Sequence, residues 1–597
     1  MRVADYIVEH LESIDVDKVF LLSGGGMMHL LDAVSRSTKI QYICNHHEQA
    51  SGIAADSYAR VSGKLGVCFA TSGPGGTNTL TAVVGAYQDS SPVLFVTGQS
   101  KVSQTIQGTN MPGLRQFGTF EVDIIPTVQT VTKYAAFVSK AEDIRYHLEK
   151  AIHLAFDGRP GAVFLDVPID VQGAQVDPEK MIGFTPETTQ RLPSLELQTV
   201  VKILEKLSKA LKPVILAGHG VRAASQVKEF RNLVDQLRIP VVTTCFGNDV
   251  LDYDHPLFVG HPGMKGDRAG NFAVQSADFI LCLGTSLHVT TTGYELDQFA
   301  PKAYKVLVDV DEMTLKRQQV EIDDKIFSDV KTFISLMKTA VETNPVPTKR
   351  GWVEVCQSWK NKLSVYKEPH IQEDSQINFY NFMDKLDVQL ADDDVIVSDA
   401  GSAFYIVGQA LRVKKNQRVI NSGSLGAMGF ALPAATGAAT VKSTNRVICV
   451  TGDGSLQTNI HELAVFRKNN LNVKLFVVNN NGYVCIRNTQ NNFFKGHLAG
   501  TSNESGVFIP DTEKLAQAYE LPYFKVSNIS ELDEVINKTL KASGPVICEV
   551  FTPPNQEIIP TVSSKKLADG SMKSKPLHDM YPFMTDDELA SYLPKDF

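Results

Sequence analysis

The sequence predicts an α/β protein made of three doubly wound parallel-sheet domains. Its 597 residues exceed what a single hydrophobic core supports, so several domains are expected. Short apolar runs of strand length alternate with patterns of helix length through most of the chain, which is typical of parallel sheets covered by helices. Pro- and Thr-rich stretches near 185–193 and 343–348 separate this alternation into three blocks.

The three blocks predict an N-terminal domain over 1–175, a Rossmann-like middle domain over 190–345 and a C-terminal domain over 370–552. A tail over 553–597 is expected to be irregular, with one helix near 585–592. The expected strands, in chain order, are 18–22, 40–44, 65–70, 92–97, 162–166, 213–217, 240–244, 279–284, 305–309, 394–398, 446–451, 473–479 and 546–551.

Charge and cysteine content narrow the partners and the compartment. A formal net charge of −8 and a pI near 6.0 give no reason to expect nucleic acid or an anionic membrane as a partner. The eight cysteines are scattered without a CxxC spacing, which favours a reduced, cytoplasmic protein over a disulfide framework or a zinc site. We also expect no signal peptide and no membrane span, because no run of about 18 apolar residues occurs.

The first and third blocks contain similar segments. Residues 67–78 and 448–459 each combine an apolar strand, a Gly-rich turn and a helix that opens with Thr-Asn. We therefore expect the two outer domains to be related, and a cofactor to be shared between them.

The strongest local pattern is Gly452-Asp453-Gly454-Ser455, with Asn480 following 27 positions after the aspartate. Asp453 and Asn480 each end a predicted strand, so a right-handed βαβ unit brings both to the edge of the sheet where open α/β sheets bind ligands. A carboxylate, a side-chain amide and the carbonyl of Gly482 form a set of hard oxygen ligands that suits Mg²⁺ when phosphate and water complete the shell. The alternative is a plain tight turn, which the distant asparagine makes less attractive.

This segment resembles the diphosphate-binding signature of thiamine-diphosphate-dependent enzymes. The resemblance implies the thiamine-diphosphate-binding fold, bound thiamine diphosphate, and Mg²⁺ held by Asp453, Asn480 and the Gly482 carbonyl. It extends from about residue 3 to 550, so the N-terminal domain would bind the pyrimidine and the C-terminal domain the diphosphate and metal. The members of this family require at least a homodimer and are often tetramers.

Glu48 is the candidate catalytic acid. It opens a predicted helix of small residues directly after the strand at 40–44, and on sequence alone it could simply compensate the helix dipole. The step His47-Glu48-Gln49 resembles the acetolactate-synthase branch of the family, which implies that Glu48 activates the aminopyrimidine ring. His46 and His47 lack a visible partner cluster for a metal, so packing or substrate hydrogen bonding is expected.

Other glycine-rich turns resemble cofactor-lining loops of the family. Met428 would be the apolar wedge that bends the cofactor, although a methionine among small residues is otherwise a routine gap filler. The cofactor-binding residues implied by the resemblance are Gly24, Gly25, Thr71, Gly73, Asn78, Gly401, Ser402, Gly426, Met428, Gly452, Gly454 and Ser455.

The chain departs from the flavin-dependent acetolactate synthases at two places. Phe120 stands where those enzymes have a glutamine, and we expect Gln116 and Phe120 to lie at the substrate. The run 284–290 lacks the arginines and aspartate that hold the flavin, while 217–222 could still cradle a nucleotide phosphate. A bound flavin adenine dinucleotide thus stays open but is not favoured.

The expected function is decarboxylation of a 2-oxo acid, with pyruvate as the leading donor, followed by ligation to an acceptor carbonyl. The tail resembles a subgroup linked to bacterial surface-polysaccharide sugars, which suggests a keto-sugar nucleotide as an alternative acceptor; a surface strap over the active site is the plainer interpretation. Simple decarboxylation is a further alternative. A regulatory module that has lost catalysis is disfavoured, because Glu48, Asp453 and Asn480 are all retained.

Overall fold

The computed structural model describes residues 1–111, 113–186, 192–317, 319–368, 376–566, 569 and 572–594. Three six-stranded sheets, in which every pair of neighbours is parallel, form the body of this part of the chain. The predicted α/β class is therefore confirmed. No helix in the described ranges has the length and apolar character needed to span a membrane.

The first sheet has the strand order β2-β1-β3-β4-β6-β5. Its strands are β1 (Lys18–Leu21), β2 (Gln41–Cys44), β3 (Gly66–Ala70), β4 (Val93–Gln99), β5 (Tyr134–Phe137) and β6 (Val163–Pro168). Its helices are α1 (Val3–Ser13), α2 (Met28–Arg36), α3 (Glu48–Ser62), α4 (Pro74–Asn78), α5 (Leu80–Gln88), α6 (Ile106–Thr109), α7 (Ile125–Val128), α8 (Ile144–Phe156) and α9 (Ile169–Gly173).

The middle sheet has the order β12-β11-β10-β7-β8-β9, the doubly wound arrangement in which the direction of winding reverses between β7 and β10. Its strands are β7 (Pro213–Ala217), β8 (Val241–Thr243), β9 (Phe258–Gly260), β10 (Phe279–Leu283), β11 (Tyr304–Asp309) and β12 (Asp324–Phe327). Its helices are α10 (Leu197–Lys209), α11 (Gly220–Ala223), α12 (Val227–Leu237), α13 (Arg268–Ser276), α14 (Val289–Thr292), α15 (Glu312–Lys316), α16 (Val330–Thr343) and α17 (Arg350–Lys362).

The third sheet has the order β14-β13-β15-β16-β18-β17, which repeats the order of the first sheet strand for strand. Its strands are β13 (Val395–Ser398), β14 (Arg418–Asn421), β15 (Val447–Gly452), β16 (Val473–Asn479), β17 (Tyr523–Val526) and β18 (Val546–Phe551). Its helices are α18 (Phe379–Gln389), α19 (Ser402–Ala410), α20 (Ala431–Ala439), α21 (Asp453–Leu456), α22 (Leu463–Asn469), α23 (Val484–Phe493), α24 (Thr512–Ala518) and α25 (Ile529–Lys541).

The tail is more ordered than the sequence suggested. The structure forms two antiparallel pairs there, β19 (Thr561–Val562) with β22 (Met580–Tyr581) and β20 (Ser564–Lys566) with β21 (Met572–Ser574). The expectation of an irregular tail was therefore wrong for these segments, while the late helix is confirmed as α26 (Asp586–Tyr592). Leu577, Met584 and Tyr592 pack into the core on one face of the middle sheet, which explains why the tail folds back onto the body.

The first and third sheets share one hydrophobic core. Phe20, Tyr58 and Phe95 belong to the same buried cluster as Phe430 and Val447. The helices α3 and α20 pack so closely in this core that a Cβ atom on Gly437 would lie 2.0 Å from the carbonyl oxygen of Ala54. The small residues of these two helices are therefore required by packing, and the contact fixes the start of α3 against the third sheet.

Candidate active site

Glu48 is held at the beginning of α3 by contacts on two sides. The imidazole Nδ1 of His47 accepts a hydrogen bond from the amide of Gln49 at 3.1 Å and so caps the helix. The side-chain amide of Asn78 donates to Glu48 Oε2 at 3.0 Å. Glu48 is only 6% exposed, so a single neutral donor orients a buried carboxyl group at the carboxyl edge of the first sheet.

The turn after β1 lies directly against the turn after β3. A Cβ atom on Gly24 would come within 2.4 Å of Thr71 Cβ, and the amide of Gly26 donates to Thr71 Oγ1 at 2.9 Å. Gly25, between them, has no atom within 4 Å of the position a Cβ would occupy. The structure therefore brings Gly24 and Thr71 together and leaves the backbone at Gly25 open to a ligand.

The loop that contains Gln116 and Phe120 covers the other side of this turn. Gly73 has a φ of +64°, and a Cβ there would lie 2.5 Å from the carbonyl oxygen of Phe120. The amide of Gln116 donates to the carbonyl of Glu121 at 3.0 Å, and the buried Glu121 carboxylate accepts two backbone amides of the same loop at 2.8 and 2.9 Å. Gln116 thus supports the loop, whereas the Phe120 side chain is 70% exposed.

Asp453 and Asn480 lie at the ends of the neighbouring strands β15 and β16. Asp453 is 1% exposed, and its two oxygens accept the amides of Gly454 at 3.0 Å and Gly482 at 2.9 Å. Asn480 is 5% exposed, and its buried Oδ1 has no hydrogen-bond partner. Burial raises the pKa of the Asp453 carboxyl to about 6.

These oxygens fit a small divalent cation. Buried polar atoms are usually paired, so the unpartnered Asn480 Oδ1, in a residue whose backbone amide reaches the Asp453 carboxyl, fits a site that binds a cation through oxygen. The described residues contain no group of three or more His, Cys, Asp and Glu side chains able to hold a metal by themselves. The set of Asp453, Asn480 and a backbone carbonyl therefore suits Mg²⁺, which keeps water and phosphate oxygens in its shell.

Glycine suits positions 452 and 454 for two different reasons. Gly452 has no atom within 4 Å of a Cβ position, so the backbone there is open to close approach by a ligand. Gly454 packs under the ring of Tyr483, where a Cβ would lie 2.4 Å from the ring. Ser455 follows in α21 and is 7% exposed, so its hydroxyl is close to the same edge but largely covered.

Asp399, which the sequence analysis did not single out as important, organises the loops around Gly401 and Met428. Its buried carboxylate accepts the amide of Gly429 at 2.9 Å and the hydroxyl of Thr451 at 3.0 Å. Gly401 has a φ of +68°, and Ser402 begins α19. Met428 is 43% exposed, and Gly426 has no atom within 4 Å of a Cβ position. The wedge proposed for Met428 is therefore available at the surface of this edge.

Glu462 joins the first and third domains of the same chain and was also missed. It is fully buried, and its oxygens accept the side-chain amide of Asn45 at 2.7 Å and the backbone amide of His46 at 2.9 Å. Burial raises its pKa to about 7. The connection between β15 and β16 is divided into α21, a 3₁₀ segment (Gln457–Glu462) and α22, with a kink at Asn459. The kink brings the Glu462 side chain into contact with Asn45 and His46, just before Glu48 in the chain.

The contacts of His46 and His47 are not those expected of two metal ligands. The backbone of His46 is used by Glu462, and the Nδ1 of His47 is used by the helix cap. The His47 ring lies 5.9 Å from the ring of His461. Their role at a substrate stays a prediction.

The glycines of the middle sheet are explained by packing at its switch point. A Cβ on Gly218 would lie 2.3 Å from the carbonyl oxygen of Gly284, and one on Gly220 would lie 2.6 Å from the Cα of Gly284. Burial lowers the pKa of His219, between them, to about 3. The Gly-rich turn therefore gives no separate support for a nucleotide phosphate, and the question of a flavin stays a prediction.

Comparisons with known proteins agree on one family. The model of the thiamine pyrophosphate enzyme N-terminal TPP binding domain matches residues 1–118, that of the central domain matches 200–337, and that of the C-terminal TPP binding domain matches 399–550. Acetolactate synthase 2, chloroplastic, of Nicotiana tabacum is 32% identical over 582 residues, which cover 94% of this chain and 83% of that protein. The acetolactate synthase of Mycobacterium bovis is 30% identical over 98% of this chain and 93% of its own length. The acetolactate synthase large subunit of Corynebacterium glutamicum is 30% identical over 100% of this chain and 93% of its own.

Proposed function

The chain belongs to the thiamine pyrophosphate enzymes, as an acetolactate-synthase-like member of the carboligase and lyase type, and on this premise we propose that it decarboxylates pyruvate and joins the remaining two-carbon fragment to an acceptor carbonyl. In the net reaction the bond from the donor carbonyl carbon to its carboxylate breaks and carbon dioxide leaves. A new carbon–carbon bond forms to the acceptor, whose carbonyl oxygen takes up a proton.

The unpartnered Oδ1 of Asn480 beside Asp453 is the observation that carries this proposal. We assign Asp453, Asn480 and the Gly482 carbonyl to Mg²⁺, with the diphosphate against the open backbone at Gly452. When bound, thiamine pyrophosphate supplies a nucleophilic carbon and an electron sink for bond cleavage. The residues of this chain hold its charged end and keep it in register with the catalytic acid.

Glu48 is proposed to hold a proton at a ring nitrogen of the cofactor. A carboxyl group performs this task best where burial keeps water away and where one fixed donor sets its orientation. The 6% exposure of Glu48 and the 3.0 Å bond from Asn78 to its Oε2 support that assignment. Gly24, Thr71 and Gly73 would line the pyrimidine side, and Met428 would bend the cofactor from below.

We propose that Glu48 of one protomer serves the metal half of the site, Asp453 and Asn480, in a partner subunit. The support is that both edges carry large apolar side chains that a single chain leaves exposed to water, and exposed apolar clusters mark interaction surfaces. On the first sheet and its loops these are Met28, Tyr42, Met111, Phe117 and Phe120, and on the third they are Leu425, Met428, Ile486, Phe493, Phe494 and Phe508. A second copy of the chain would cover both sets, so a homodimer is the proposed minimum and a tetramer is compatible with it.

The acceptor separates the candidate reactions. A second molecule of pyruvate would give acetolactate, the product named in the relatives, whereas a keto-sugar nucleotide would give a branched sugar. The tail lies outside the three matched domains, and the second candidate rests on the resemblance of that tail alone. Simple decarboxylation needs no acceptor.

The direct test is incubation of the purified protein with pyruvate, thiamine diphosphate and Mg²⁺, with and without a keto-sugar nucleotide, followed by mass spectrometry. We expect release of carbon dioxide and a product heavier than the acceptor by the two-carbon fragment. A parallel incubation without thiamine diphosphate is the control. Absence of carbon dioxide from the complete mixture would contradict pyruvate as the donor.

A further inference from the structure

Lys265 is a partly buried cation that no carboxylate of the described residues contacts directly. Burial lowers the pKa of several lysines in the described part of the chain, namely Lys133, Lys265, Lys305, Lys360 and Lys474. Four of these ammonium groups donate to backbone carbonyls; that of Lys305, for example, donates at 3.0 and 2.9 Å. Within the described ranges Lys265 Nζ makes neither a hydrogen bond nor an ion pair, although the carboxylate of Glu557 acts on it electrostatically without touching it. A partly buried ammonium group with no direct partner leaves room for a bound oxyanion.

The ammonium group of Lys265 lies beside the proposed cofactor loops. Its Nζ is 5.8 Å from the centre of the Tyr405 ring, in α19. It interacts electrostatically with the thiol of Cys485, in α23, and more weakly with the carboxylate of Glu557, in the tail. The Cys485 thiol is in turn 3.7 Å from the position a Cβ would take on Gly401. Lys265 therefore belongs to the middle domain in sequence but to the edge of the third sheet in space.

The loop that carries Lys265 is fixed from three sides. The amide of Met264 donates to the carbonyl of Thr290 at 2.9 Å, and the carbonyl of Met264 accepts the amide of Val562 from the tail at 2.8 Å. The side-chain amide of Gln409, in α19, donates to the carbonyl of Gly266 at 3.2 Å. The middle sheet, the tail and the third sheet thus all hold the lysine where it is, so its position does not depend on a flexible surface loop.

We propose that Lys265 binds the oxyanion of the acceptor substrate, either a carboxylate or a phosphate group; this inference rests on the function proposed above and narrows its substrate. A lysine presents a compact point charge that suits both kinds of oxyanion. The acceptor is the better ligand because the donor carboxylate is lost as carbon dioxide. Holding that carboxylate would stabilise the ground state and would not lower the barrier.

The test is calorimetric titration of the protein loaded with thiamine diphosphate and Mg²⁺, using oxamate as an unreactive carboxylate probe and inorganic phosphate as the second probe. We compare wild type with Lys265→Met, Lys265→Arg and the exposed middle-domain control Lys331→Met. Lys265→Met is expected to weaken at least one probe by about tenfold to a hundredfold, the range for losing a charged hydrogen bond. Lys265→Arg should recover most of the affinity, and Lys331→Met should match wild type. The probe that responds identifies the oxyanion.

A kinetic arm separates the acceptor from the donor. With pyruvate as donor, the loss in kcat/KM caused by Lys265→Met should be at least about tenfold larger for an anionic acceptor than for neutral acetaldehyde. Equal losses for the two acceptors, or probe binding that is undetectable in wild type or unchanged in Lys265→Met, would overturn the proposal. Carbon dioxide release from pyruvate tests the proposed function separately. If wild type binds oxamate through Lys265 but releases no carbon dioxide from pyruvate, only the assignment of pyruvate as the donor is rejected.

Discussion

The first and third sheets have the same strand order, yet the edges at which their corresponding turns lie are chemically different. At the first sheet, Thr71 and Gly73 are closed off by Gly24 and by the loop at Phe120, and one oriented carboxyl group, Glu48, remains. The turn at 452–454 on the third sheet instead gathers oxygen ligands and leaves a buried amide oxygen without a partner.

The difference indicates a division of labour between two copies of one scaffold. The turn of the first sheet packs against its own chain and can therefore position a proton-carrying group. The turn of the third sheet has unsatisfied oxygens and an open backbone, so it can hold a metal and a diphosphate. Neither edge is complete by itself. Substitutions in each half can show whether the two halves differ in this way and whether they meet across subunits.

The largest effect is expected for Glu48→Gln. The substitution keeps the shape and the contact with Asn78 but removes the proton-carrying carboxyl, so turnover should fall by about 10²- to 10⁴-fold, the usual contribution of a positioned acid or base. Cofactor affinity by calorimetry and the melting temperature should stay near wild type. Glu142→Gln, an exposed residue of the same domain, is the matched control. Near-normal turnover in Glu48→Gln would reject the assigned role.

A mixed oligomer tests whether the halves meet across subunits. Glu48→Gln and Asp453→Asn are each expected to be nearly inactive, but a dimer with one of each contains one site built from two intact halves. Random association should therefore restore about a quarter of wild-type activity, since half of the dimers are mixed and each has one good site. The two chains carry different affinity tags and are co-expressed. A mixed dimer as inactive as its parents would show that each chain uses its own Glu48.

Asp453→Asn should weaken ligand binding only at the metal half of the site. The affinity for Mg²⁺ and thiamine diphosphate is expected to fall by at least about ten- to a hundredfold, the loss that even an outer partner of a metal site causes. Titration calorimetry measures both ligands. Asp533→Asn is the control, because Asp533 is exposed and its ion pair with Lys385 at 2.8 Å contributes little to stability. Unchanged affinity in Asp453→Asn would reject the metal assignment.

The sequence predicted central strands well and edge strands poorly. All the strands of the three sheets that it missed lie at or next to an edge, and they are only three or four residues long: β5, β9, β12, β14 and β17. An edge strand has a partner on one side only and is often half exposed, as β5 and β12 are, so it lacks the continuous apolar run that marks a buried parallel strand. Short length removes the remaining signal.

The candidate site divides in the same way. Asp453, Asn480 and Glu48 could be proposed from the sequence because each follows a strand end, and Glu48 also because the step His47-Glu48-Gln49 resembles a known family. Asp399 and Glu462 were missed because their partners lie 30 to 417 residues away, and Glu121 because it lies on an irregular loop. Lys265 was missed because it belongs to the middle domain in sequence but lies beside Tyr405 of the third domain. A local pattern can identify a ligand at a strand end, but only the packed chain shows which carboxylates hold the loops in place.

The smallest expected effect concerns Glu462, which joins the first and third domains of one chain. Its pKa is about 7 in the folded chain against 4.5 for the free side chain, so between those values the folded state binds more protons than the unfolded state. Stability from this group is therefore complete below about pH 4.5 and is lost as the pH rises toward 7, by about 3 kcal/mol at most. Glu462→Gln cannot titrate and should lack this loss.

The measurement is the melting temperature of wild type and of Glu462→Gln at pH 5, 6, 7 and 8. The difference between wild type and the variant should fall by a few degrees as the pH rises. His46, His47 and His461 lie near Glu462, but they are present in both proteins, so the difference isolates the carboxyl group. Glu520→Gln, on the surface, should track wild type at every pH. A constant difference would mean that the contact between the two domains does not depend on the charge of Glu462.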